Sequence, residues 1–164
     1  MRIARVAIVL FFLPIGGGHA AMGKIPFAAL VGQAELIVQG RVESVVTTTR
    51  PPEASPSPGQ KREVEFVVSN VADLAVDTVL KGPVGIRRIR IEFHSMEDSP
   101  RYIPGETVVV FLTKAAQGDL YSTVGMLQGR FLIRDGMVER EQIPVAEFFH
   151  RIRTLIHAPS QPGR

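Results

Sequence analysis

The chain has 164 residues, with 19 Lys and Arg against 16 Asp and Glu, 45% hydrophobic residues, 15 Gly, 12 Pro and no Cys. That length argues for one domain, and the apolar fraction is too high for a chain disordered throughout. The lack of cysteine excludes disulfides, thiol nucleophiles, Cys-ligated zinc, iron–sulfur clusters and lipoprotein acylation.

Met1 to Arg5 carries two arginines and no acid, Val6 to Ile15 is an apolar run, and Gly16 to Ala20 follows with small residues. Gly18 and Ala20 fit the small-residue positions before a cleavage after Ala20. This order is that of a secretory signal over residues 1–20. A bilayer span takes about 20 apolar residues, and Pro14 and three glycines end this run well short of that. The mature chain is expected to be exported, to the periplasm or the medium, with no membrane span after cleavage. Arg2 and Arg5 leave with the signal, so the 19 basic residues fall to 17 against 16 acids. A nearly neutral chain gives no electrostatic reason to expect a nucleic-acid partner.

The remainder reads as a single domain over residues 21–157 with a frayed tail at 158–164. Ile25 to Ala34 has Pro26 at a first helical position and Phe27, Leu30, Val31 and Ala34 at helical spacing, which predicts a short helix. From Glu35 to Thr48 the period changes to two. Leu36, Val38, Gly40 and Val42 share one face of a strand in which Gly40 marks a bulge or sharp coil. The proline-rich segment 49–61, with Pro51, Pro52, Pro56 and Pro58, reads as a flexible loop. Glu63 to Leu80 is β-like, with Asn70 as the expected turn or bulge, and Lys81-Gly82-Pro83 stops it. Ile86 to Phe93 puts Ile89, Ile91 and Phe93 inward and Arg88, Arg90 and Glu92 outward.

After the polar loop His94 to Pro104, Glu106 to Thr113 contains VVVFL, a strand buried on both faces. Leu120 to Val124, Gly129 to Arg134 and Met137 to Arg140 are shorter strands, the last two joined by an Asp135-Gly136 hairpin turn. Pro144 to Ile156 forms an amphipathic helix whose stripe includes Val145, Phe148, Phe149, Ile152, Leu155 and Ile156. Two-residue alternation throughout the middle implies a mainly antiparallel sheet with one wet face. Phe66, Phe93, Phe111 and Phe131 are expected in its core, and Tyr102 is the aromatic expected at the surface.

Candidate chemistry is sparse. His94, Glu97 and Asp98 share a loop, but His150 and His157 sit far along the chain, so no structural metal set assembles. Asp73 and Asp77 would lie about 13 Å apart on one strand face, too far for paired-carboxylate chemistry. No serine occupies a G-x-S-x-G elbow or an S-x-x-K pattern. Arg88, Arg90, Arg130 and Arg134 form the one candidate basic strip, but with the phenylalanines in the core only Tyr102 is expected to be exposed for base stacking. The loop at 94–104 mixes Arg101, Tyr102 and Met96 among charges, and it is longer than a hairpin needs.

Four motifs recur in a telling order: AELIVQGRV (Ala34 to Val42), VLKG (Val79 to Gly82), IPGETVVVFL (Ile103 to Leu112) and LQGRF (Leu127 to Phe131). Over Ile25 to about Ile156 the chain resembles a group of exported bacterial domains of unknown role, similar to the netrin-like OB barrels of tissue inhibitors of metalloproteinases. The resemblance implies a small OB-like β-barrel with a short N-terminal helix and an amphipathic C-terminal helix packed on it. Gly40, Lys81, Gly82, Gly105, Phe111, Gly129 and Phe131 match the pattern, and these are residues that shape turns and cores. The inhibitors approach a target zinc with an N-terminal cysteine; here the expected mature start is Ala21-Met22-Gly23. The expectation is a non-enzymatic interaction domain that binds another exported protein or a cell-surface component. Its expected contacts are His94, Met96, Glu97, Asp98, Arg101 and Tyr102, with no cofactor. An inhibitor or accessory factor of an exported peptidase is the alternative, and a hydrolase with a dispersed site is the second.

Overall fold

The computed structural model describes residues 23–50, 67–94, 99–115 and 118–158. The expected export signal, the proline-rich loop beyond Arg50, Phe66 and the expected tail beyond Ala158 lie outside these residues, and Thr49 and Arg50, expected in that loop, instead end the first strand. The elements are α1 (Phe27–Gln33), β1 (Leu36–Arg50), β2 (Val67–Lys81), β3 (Arg88–Phe93), β4 (Thr107–Lys114), β5 (Leu120–Thr123), β6 (Arg130–Arg134), β7 (Met137–Val138), β8 (Ile143–Pro144) and α2 (Val145–His157), with a 3-10 turn at Met126–Gly129 before β6. The protein is mainly β. Among the described residues no helix is long and apolar enough to cross a membrane.

The strands form one sheet in the order β1-β2-β3-β5-β4-β6-β7-β8, and β1 also pairs with β4. Five strands, β1-β2-β3-β5-β4, therefore close into a hydrogen-bonded ring. Every junction in the ring is antiparallel except β3 with β5. Closure uses both edges of β4. One edge pairs with Leu36 to Arg41 of β1, while the other serves β6 through Thr107 to Val110 and β5 through Leu112 to Lys114.

Such a ring needs its long strands to bend, and the register between β1 and β2 shifts three times. Leu80 and Asp77 of β2 and Glu43 of β1 are the extra residues at these bulges, each of which raises local twist. Gly40 lies at the second shift, paired with Val76 on one side and Val108 on the other. A Cβ at Gly40 would overlap the carbonyl oxygen of Ala75, so the coil expected at this glycine rests on backbone approach that no side chain permits. Asn70 makes no turn. It continues β2, opposite Thr47 on one side and Phe93 on the other.

Two cores share β1 and β4. One is lined by every strand of the ring: Leu36, Val38 and Val42 from β1, Ala72 and Leu74 from β2, Ile89 and Ile91 from β3, Val108, Val110 and Leu112 from β4, with Tyr121 of β5 packed against them. The other lies between the sheet and the helices and takes Ile37, Val109 and Phe111 from the opposite faces of β1 and β4. That double duty is why VVVFL is apolar without interruption. Phe27, Phe111, Phe131 and Phe148 cluster in this helix-side core, with ring centroids 4.8 to 6.5 Å apart. The phenylalanines Phe111 and Phe131 thus fill the space beneath the helices, and the core lined by the ring is chiefly aliphatic.

The helices are tied down by polar contacts as well as packing. Lys81, at the end of β2, donates its Nζ to the carbonyl oxygens of Val31 at 2.8 Å and Gly32 at 3.3 Å, satisfying the open end of α1. Phe148 and Ile152 of α2 are buried against the phenylalanine cluster. Asp135 and Gly136 both adopt positive φ, 51° and 73°, in the two-residue turn between β6 and β7.

Candidate functional site

The loop after β3 holds the residues expected to make contacts, and the structure divides them. Met96, Glu97 and Asp98 lie outside the described residues. His94 and Arg101 are exposed, whereas Tyr102 is only 4% exposed, contrary to the surface position expected of it. Its ring packs 5.2 Å from Phe93 against the ring-lined core, and its hydroxyl is 2.7 Å from Oγ1 of Thr123. Burial pushes the Tyr102 hydroxyl up to about 12, against smaller opposing effects of the Thr123 hydrogen bond and the Arg130 charge. Ser99 and Pro100 are also buried, so this end of the loop is anchored. Arg101 and Ile103, the neighbours of the anchor, point outward, with Ile103 55% exposed.

Beneath Tyr102 lies an ion pair that joins two of the sequence motifs. Arg130, of LQGRF, binds Glu106, of IPGE, through Nη2, with side chains 15% and 21% exposed. The Arg130 guanidinium carbon lies 5.5 Å from the centre of the Tyr102 ring. Arg130 is therefore a structural cation. Of the other arginines of the expected basic strip, Arg88 pairs with Glu43 at 2.6 Å and Arg134 with Glu139 at 3.0 Å, while Arg90 is exposed on β3.

The remaining polar candidates stay apart. Asp73 accepts a 2.8 Å hydrogen bond from the Ser44 hydroxyl, while Asp77 is exposed at a bulge that breaks the alternation linking the two. His150 and His157 are exposed on α2. Among the described residues no three His, Cys, Asp or Glu side chains gather to hold a metal ion.

A second surface was not legible from the motifs. A cleft of about 880 Å³ opens where the segment before α1 meets α2 and the turn before β6. Its apolar lining comes from Ile25, Pro26, Phe27, Leu30 and Phe131. Around it stand Lys24, Arg140, Arg151 and one acid, Glu141. Gln128 builds one wall: its Oε1 accepts from the backbone N–H of Ile25 at 2.6 Å, and its Nε2 donates to the carbonyl oxygen of Gly23 at 3.3 Å. Arg140 lies 4.0 Å above the Phe131 ring and donates to the carbonyl oxygens of Leu127 and Gln128. Burial lowers its pKa from the ordinary guanidinium value, opposed by Glu141. Arg151 lies 5.4 Å from the Phe27 ring centre. The only signal of this site in the sequence is the group of basic residues flanking two apolar helices, which reads as an ordinary wet face.

The described residues thus define a mainly β protein, its sheet closed into a five-strand ring, with one anchored loop and one cation-rimmed apolar cleft. No known family model matches the chain, and no curated protein is significantly similar to it.

Proposed function

We propose that this protein is a non-enzymatic, exported interaction domain built on an OB-like barrel, and that it recognises another exported protein or a cell-surface component. The ring order β1-β2-β3-β5-β4, with its single parallel pairing, supports the barrel reading. The order of the four motifs supports kinship with the netrin-like domains, a reading of fold rather than of activity.

The observation that carries the functional reading is the anchoring of Tyr102. A buried ring and a satisfied hydroxyl fix the backbone on which Arg101 and Ile103 are displayed. Presenting a cation and an apolar side chain from a preordered loop lowers the entropy lost on association, and arginine is enriched among residues that dominate binding energy.

The test is site-specific photo-crosslinking from position 103 in the exported fraction, with position 84 as the control. Val84 is 91% exposed and lies in the turn between β2 and β3. A discrete adduct from 103, absent from 84 and abolished by Arg101→Glu, is expected. Adducts shared by both positions, or none from 103, would defeat the proposal. A panel of secreted peptidases assayed with the purified protein separates the inhibitor reading, which predicts loss of activity in one of them.

A further inference from the structure

We infer that the cleft beside α1 binds an amphipathic carboxylate of the fatty-acid type, its hydrocarbon on Ile25 and Phe27 and its headgroup between Lys24 and Arg151. This site is separate from the loop at 99–103 and does not depend on that loop's role. The cleft volume of about 880 Å³ is within the range of small-molecule sites.

Charge selects the sign of the headgroup. Three cations surround the cleft against one acid, and Glu141 lies 3.9 Å from both Arg140 and Arg151. That separation is beyond hydrogen-bond range, so Glu141 screens the arginines without occupying their donors. Arg140 is committed elsewhere, since Nη1 and Nη2 both donate to backbone carbonyls. Arg151 and Lys24 remain for a ligand. The position of Arg151 near the Phe27 ring puts a bound carboxylate at the border of the apolar lining, where an attached chain runs onto Phe27 and Ile25.

Hydrogen bonding selects hydrocarbon over peptide. The amide of Gln128, the N–H of Ile25 and the carbonyl of Gly23 already satisfy one another. A peptide laid in the cleft would bury amide groups opposite these spent partners, which costs free energy that a plain alkyl chain does not incur.

Isothermal titration of the purified protein at low salt, with decanoate, butyrate, decyltrimethylammonium and N-acetyl-Leu-Leu, tests the assignment. Decanoate is expected to bind at least about tenfold more tightly than each of the others, the difference that one charge-assisted contact or several buried methylenes provides. Arg151→Gln and Lys24→Gln should each weaken decanoate about tenfold while the unliganded melting temperature stays unchanged for Lys24→Gln. If Arg151→Gln fails to fold, Lys24→Gln decides alone. Equal binding of the decyl cation would show an unselective greasy surface and overturn the proposal. So would tighter binding of the acetylated dipeptide, no binding of decanoate, or unchanged affinity in Lys24→Gln.

Discussion

Replacing Tyr102 by Phe separates its anchoring hydroxyl from its buried ring. At neutral pH the substitution removes the 2.7 Å bond to Thr123 and leaves that hydroxyl without its partner. The cost is about 1–1.5 kcal/mol, the net worth of one intramolecular hydrogen bond. The pH dependence is more diagnostic. Burial raises the folded-state pKa from 10.0 to about 12, so the unfolded chain loses the proton first as pH rises. The stability contributed by this shift is fully present below pH 10 and is lost as pH climbs through the folded value near 12. Two pK units correspond to about 2.7 kcal/mol in all, of which about 1.4 kcal/mol is gone by about pH 11. Phenylalanine has no proton to lose. The stability difference between the parent and Tyr102→Phe should therefore shrink with rising pH and approach zero near about pH 11. Urea denaturation of both proteins over alkaline pH measures that difference and cancels the titration of every other group. Tyrosinate absorbance of the parent minus that of Tyr102→Phe, in which Tyr121 is common to both, locates the Tyr102 transition. Parallel stability curves, or titration of Tyr102 in the folded protein at its ordinary value, would refute the burial argument.

Other substitutions probe the bends, the caps and the ion pair. Gly40→Ala should destabilise by about 1–3 kcal/mol through collision with Ala75, whereas Gly32→Ala, with open space around it, should be stabilising by about 0.5–1 kcal/mol; thermal melts of the pair give opposite signs. Lys81→Met should cost about 1.5–3 kcal/mol by uncapping α1, read as a lower denaturation midpoint with faster amide exchange in residues 31–34. Glu106→Gln should cost about 2–3 kcal/mol, less than a fully buried pair because these side chains retain some exposure. Adding Arg130→Met to it should restore part of the loss, as a double-mutant cycle would show.

The faces of the strands were legible in the sequence, but their partners were not. Alternation placed Ile89 and Ile91 inward correctly, and the five apolar residues of VVVFL announced double burial because they serve two cores. Asp135-Gly136 announced its turn because few other pairs accept positive φ twice. Ring closure left no such trace. The pairing of β1 with β4 joins residues about seventy positions apart, and a period of two states which side faces inward without stating which strand lies alongside. Tyr102 misled for a related reason. Its charged and proline neighbours resemble a wet loop, and its burial depends on Phe93 and Thr123, which only the folded topology brings to it. Asn70 misled because polar residues in a strand resemble a break when their cross-strand partner, here Thr47, is unknown. Lys24 and Arg151 are unremarkable in sequence, since surface cations beside a helix are common, and only the cleft between them gives them a shared site.

The motif residues are already occupied by the fold, which separates stability from recognition in a testable way. Gly40 lets β1 approach β2, Lys81 caps α1, Glu106 and Arg130 pair beneath Tyr102, and Phe111 and Phe131 hold the helices to the sheet. The Nε of Arg130 is buried without a hydrogen-bond partner among the described residues. Arg101, Lys24 and Arg151 are outside every motif and Ile103 is only the leading residue of one, and these four carry the exposed chemistry. The two sets should dissociate. Substitution of Gly40 or Lys81 should lower the melting temperature by several degrees, the shift that about 1–3 kcal/mol produces at this size, with binding retained below the transition. Substitution of Arg101 or Lys24 should abolish or weaken its own interaction with the melting temperature unchanged, because an exposed side chain contributes little to folding. If loss of binding instead tracked loss of stability across all four positions, recognition would belong to the core architecture, and neither surface would be a contact site.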